Sequence, residues 1–152
     1  MVDLITPIVE FFTREVSLVL LGNRIIVSWS KIGLTLGLIT FLIAVVLNSR
    51  PQPNAARGLT FMQTVVIAPV IEEVIFRLVL IPMFYILFGN VILAITLSAA
   101  LFGLAHVVYG GMKFIDSFIT GLLWGWAFLA IGIEVTILAH MTHNFLSTMS
   151  GG

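Results

Sequence analysis

The sequence predicts an all-α, polytopic membrane protein: a transmembrane helical bundle of about five spans preceded by an N-terminal amphipathic helix. Three observations carry that reading. The 152-residue chain is 60% hydrophobic and only 9% charged, with a mean hydropathy of +1.18. Its apolar windows approach the ~20 residues needed to cross a ~30 Å hydrocarbon core. Five ionisable side chains, Glu72, Glu73, Arg77, His106 and His140, nevertheless sit inside long apolar runs. Ionisable groups at membrane depth are costly, roughly 2.5–3.5 kcal/mol for an Asp, Lys or Arg at a helix centre on insertion scales, so these five are expected to face a polar cavity and to work there.

Taken as one integral membrane domain, 1–152, the chain divides into an amphipathic start (1–24), a first span and loop (25–58) and the catalytic core spans (59–149). From Val2 to about Leu21 the charges recur at helical spacing, with Glu10 and Arg14 four apart, which fits a helix lying in the interface. This start lacks the basic n-region and cleavage site of a signal peptide and is expected to stay on the mature protein. Ile25 to Leu47 is the first span, with Lys31 able to snorkel to the headgroups. The polar stretch NSRPQPNAARG, residues 48–58, is a loop broken by Pro51, Pro53 and Gly58. Leu59 to Phe88 is the second span, kinked or interrupted at Pro69 and Pro82. Val91–Val108, Phe114–Ile131 and Ile133–Met149 complete the set, and connections as short as Gly132 make neighbours antiparallel.

Composition excludes several functions. Seven basic and seven acidic residues balance, so no electrostatic footprint for nucleic acid exists. The absence of cysteine excludes disulfides, thiol catalysis and thiolate metal ligands. The expected surroundings are membrane lipid and a peptide or membrane-protein substrate, with the cell membrane as the expected location. The GxxxG pairs Gly33/Gly37 and Gly121/Gly125 read as helix-packing sites rather than a dedicated dimer interface, although a homodimer stays possible in so short a chain. Trp29, Trp124 and Trp126 read as interfacial anchors or lipid-facing bulk. Lys113, Asp116 and Glu134 read as solvated helix ends, with Lys113 paired to Asp116.

The chemistry concentrates in three helical spacings. Glu73 and Arg77, four apart with the acid first, form a same-face ion pair, whereas Glu72 points about 100° away into the bundle. Glu72 is then a candidate general base for water, with His106 as its candidate partner. His140 and Asn144, also four apart, present an imidazole and an amide suited to the oxyanion formed when water attacks a peptide carbonyl. Set against this, Glu73 with Arg77 could be a purely structural pair, and either histidine alone would more often be a hydrogen-bonded bundle residue. The joint pattern favours the site.

EEVIFR at 72–77, FGLAH at 102–106 and HMTHN at 140–144 match EExxxR, FxxxH and HxxxN motifs in the order found in the CPBP (Abi) intramembrane proteases, which include the type II CAAX prenyl endopeptidases. The chain resembles that family over about residues 59–149. The resemblance implies an intramembrane endopeptidase without cofactor, in which Glu72 activates water with His106, Glu73 and Arg77 brace the site, and His140 and Asn144 stabilise the oxyanion. His143 is extra to the motif. Departures from the larger CAAX enzymes, which have more helices, leave the substrate groove open.

Three other readings remain at this point. A zinc protease would use Glu72, His106 and His140 as ligands, though no HExxH segment is present. A noncatalytic bacteriocin-immunity or peptide-binding protein would keep the fold alone. A proton-coupled carrier would use the Glu and His side chains as a relay, but no internal repeat is visible.

Overall fold

The computed structural model describes residues 5–20, 23–49 and 58–150. Within them the protein is helical apart from one two-stranded ribbon. The first helix, α1 (Ile5–Thr13), is shorter than the amphipathic stretch read from the sequence, whose ends at Val2 and Leu21 lie outside the described residues. Strands β1 (Glu15–Leu20) and β2 (Asn23–Ser28) follow as an antiparallel hairpin, in register from Glu15↔Ser28 to Leu20↔Asn23. This corrects both the long first helix and the start of the first span at Ile25. The physical reason is the run of Val, Ile and Leu in EVSLVL and NRIIVS, which favours a pleated ribbon once the two segments pair.

Helix α2 (Trp29–Val46) starts where the hairpin ends, and Trp29 ties it to α1. Its indole N–H donates to the Phe11 carbonyl at 2.5 Å, and its ring lies against Phe11 and Phe12. Trp29 is 2% exposed, so it is a buried anchor rather than a lipid-facing one. Arg14, beyond the end of α1, pairs with Glu134 rather than continuing a helical face with Glu10. Of the expected loop, Asn48 and Ser49 close the end of α2 and residues 50–57 lie outside the described residues.

The path from Gln63 to Phe88 is helical throughout but not uniformly wound. A π-helical turn (Gln63–Ile67) leads into α3 (Ala68–Glu73), and a second π stretch (Val74–Leu80) leads into α4 (Ile81–Phe88). Each α segment carries a proline in its first two positions, Pro69 and Pro82. A proline has no N–H and crowds the carbonyl four residues back, and widening the preceding turn relieves the crowding. The expected kinks are therefore realised as π turns.

Helix α5 (Val91–His106) is capped by Asn90, whose side chain accepts from the Leu93 N–H, and runs on through a 3-10 turn (Val107–Tyr109). Helices α6 (Gly111–Ala130) and α7 (Ile133–Ser150) complete the bundle within a few residues of the expected limits. Helix α2 packs along α7, and α5 along α6. Both GxxxG pairs are used in these contacts. A Cβ on Gly37 would meet the Ala139 carbonyl at 2.5 Å, and one on Gly125 would meet Ile95 at 2.7 Å.

The polarity of the molecule is inverted relative to a water-soluble protein. Glu73, Asp116 and Thr136 are 0% exposed, while Val46, Ile86 and Val108 are 84%, 81% and 78% exposed. Two helical stretches, Trp29–Val46 and Val91–Tyr109, are long and apolar enough to cross a membrane.

Candidate active site

The three motifs converge at the centre of the bundle, around a cavity of about 170 Å³ bounded by Glu72, His106, His140 and Asn144 among others. Helix α3 ends at the adjacent glutamates, and their side chains take different surroundings. Glu73 is fully buried. Its Oε2 lies 3.1 Å from Nε of Arg77, an ion pair whose N–H is not aligned for a hydrogen bond, and its Oε1 accepts from His140 Nδ1 at 2.9 Å. Arg77 is 1% exposed, and its guanidinium lies 4.7 Å from the Phe102 ring centroid and 5.6 Å from that of Trp124. Aromatic faces thus supply part of the attraction that water would otherwise give this cation.

Glu72 is partly exposed and faces the cavity. Its Oε2 lies 3.7 Å from Nε2 of His106 and 3.7 Å from Nε2 of His140. That separation exceeds a hydrogen bond, and Oε2 has no hydrogen-bond partner among the described residues.

The orientation of each imidazole follows from its other nitrogen. His106 Nδ1 donates to the Phe102 carbonyl at 2.8 Å, within the last turn of α5. A carbonyl only accepts, so the proton sits on Nδ1, and Nε2 of the neutral ring presents a lone pair to Glu72. The four-residue interval of FGLAH also sets the Phe102 ring against that of His106, with centroids 4.5 Å apart. His140 is fixed in the same way by Glu73, and its Nε2 accepts when the ring is neutral and donates when it is cationic.

Asn144, one turn along α7 from His140, donates from Nδ2 to the Thr64 carbonyl at 3.0 Å. Six sequence-designated residues, Glu72, Glu73, Arg77, His106, His140 and Asn144, are thus brought together. Among the described residues no group of three or more His, Asp or Glu side chains that could hold a metal ion is found.

Several side chains lie elsewhere than the sequence indicated. Trp124, given no chemistry, is 1% exposed and its ring lies 4.5 Å from that of His140, so it walls the site instead of anchoring in lipid headgroups. Lys113 and Asp116 are 8% and 0% exposed, a buried ion pair at 2.7 Å rather than solvated ends. Their helix brings Lys113, Ser117, Thr120 and Trp124 onto one cavity wall, a stripe at 4-, 3- and 4-residue steps that the sequence could have revealed. His143 is buried between Thr40 Oγ1, at 3.2 Å, and the Trp124 ring. The contribution of Thr64 is a main-chain atom, invisible to side-chain motifs.

Residues 53–146 match the family described as type II CAAX prenyl endopeptidase Rce1-like. The sporulation-killing factor biosynthesis protein SkfC of Bacillus subtilis (strain 168) is 33% identical over 79 residues, which are 49% of this chain and 16% of that much longer protein. No solved structure matches the chain. With its family match extending over more than half of its length and across all three motifs, the chain belongs to the Rce1-like family of type II CAAX prenyl endopeptidases.

Proposed function

We propose that this chain is an intramembrane endopeptidase that hydrolyses a peptide bond near the membrane surface by direct attack of water. The observation that carries the reading is the placement of Glu72 Oε2 at 3.7 Å from both imidazole Nε2 atoms, on the wall of a cavity that also includes Asn144. A water seated there donates one hydrogen to Glu72 and the other to His106 Nε2, leaving an oxygen lone pair for the substrate carbonyl. Glu72 takes the proton as the C–O bond forms. His140, when cationic, and the second N–H of Asn144 receive the developing oxyanion, a task for which each donor contributes roughly 2.7–4 kcal/mol. Collapse of the tetrahedral intermediate breaks the C–N bond, and the proton held by Glu72 passes to the leaving amine. Glu73 and Arg77 touch no substrate; they hold His140.

The reaction so drawn uses no metal and no covalent enzyme intermediate. The outward-facing Leu, Ile and Val side chains support a lipid setting for a bundle of about five spans, with the cell membrane as the proposed location. A prenylated CAAX peptide is the first substrate to try, because the family description names that class. The test is cleavage of a fluorogenic farnesylated CAAX peptide by the purified protein in lipid nanodiscs, with and without a chelator. Chelator-resistant cleavage that disappears in both Glu72→Gln and His106→Ala supports the proposal; activity retained in both variants removes it.

A further inference from the structure

The first π turn leaves a carbonyl without a ladder partner, and a site residue takes it. In Gln63–Ile67 the N–H of Ala68 reaches back five residues to the Gln63 carbonyl. The same register asks residue 69 to donate to the Thr64 carbonyl, and residue 69 is a proline with no N–H. The α-helical donor for Thr64 would be Ala68, whose N–H is already given to Gln63. Thr64 accepts instead from Asn144 Nδ2 at 3.0 Å, a bond spanning 80 residues of sequence. The bond fixes which end of the amide faces Thr64. One N–H of the amide is held there and the other remains for the cavity that Asn144 helps to line.

We propose that Pro69 is a positioning residue for Asn144: by removing the one backbone donor that the π register calls for, it reserves the Thr64 carbonyl for the catalytic amide. This rests on the reading of Asn144 as an oxyanion donor, and it adds a reason for a proline three residues ahead of the glutamate pair. An alanine at 69 would supply the missing N–H, close the register on Thr64 and release the side chain of Asn144.

Two measurements on the full chain in nanodiscs test this. The first is the kinetics of Pro69→Ala, Asn144→Ala and the double variant on the farnesylated CAAX peptide. Pro69→Ala is expected to lower kcat toward the level of Asn144→Ala, about 10²–10³-fold below wild type, with KM unchanged and the double variant no worse than Asn144→Ala. Wild-type kcat in Pro69→Ala beside an impaired Asn144→Ala overturns the inference alone, as do losses that multiply in the double variant. Wild-type kcat in Asn144→Ala overturns the underlying oxyanion role.

The second measurement does not depend on turnover. Thr–Val occurs once in the sequence, at Thr64–Val65, so ¹³C-carbonyl threonine with ¹⁵N-valine isolates the Thr64 carbonyl in a solid-state NMR spectrum. Asn144→Ala is expected to move that signal in the wild-type background and to leave it still in the Pro69→Ala background. Should Pro69→Ala not fold, wild type against Asn144→Ala decides: a moved signal supports the tie, and an unmoved one overturns it.

Discussion

Glu72 and Glu73 are adjacent in the chain and live in opposite surroundings. Glu73 is sealed from solvent between Arg77 and His140, with the Phe102 and Trp124 rings covering the arginine. Glu72, one residue earlier and about 100° around the helix, lines the cavity, and its Oε2 is hydrogen-bonded by no protein group. A buried ion pair is a brace: it fixes an imidazole and is damaging to break. In the proposed mechanism the unpaired carboxylate between two imidazoles is the reagent. The comparison teaches that one helical turn can carry both roles because its two faces see different dielectrics and partners.

The contrast can be broken at either residue. Glu72→Gln is expected to lower kcat on the farnesylated peptide by about 10²–10⁴-fold, the usual contribution of a general base, while the unfolding midpoint in denaturing detergent stays at the wild-type value. Glu73→Ala is expected to act the other way round, lowering unfolding stability by about 3–5 kcal/mol because Arg77 is left buried without its anion. Stability measured on both variants separates reagent from brace; equal destabilisation would erase the distinction.

Smaller changes sharpen the boundary of the braced side. Gly37→Ala forces a methyl group toward the Ala139 carbonyl, 2.5 Å from its ideal position, and is expected to cost about 1–3 kcal/mol in the same unfolding measurement by spreading α2 from α7. Thr40→Val removes the hydroxyl beside His143 Nδ1 and is expected to cost about 1 kcal/mol with little change in kcat. A large kcat loss in Thr40→Val would move His143 from the wall of the site into its chemistry.

What could be read from the sequence was what helical periodicity encodes. Four-residue intervals place Glu73 over Arg77, Phe102 over His106 and His140 over Asn144, and ionisable groups in apolar runs are rare enough to stand out. The hairpin was hidden because Val, Ile and Leu serve membrane helices and strands alike, so Glu15–Ser28 reads as either. The prolines announced a disturbance, but whether a helix breaks, kinks or widens into a π turn depends on the packing around it. Lys113 and Asp116 read as solvated ends because charges near a helix start usually are; only the tertiary fold turns that face inward. The carbonyl of Thr64 leaves no trace in side-chain patterns, and its one sequence mark is the proline five residues on.

The most direct test compares peptide termini in the membrane proteome of cells carrying the wild-type chain with those in cells carrying Glu72→Gln at equal abundance. A terminus present with the wild type and missing with Glu72→Gln is the expected result. Identical termini in the two, with both proteins folded in the membrane, would contradict hydrolysis at this site.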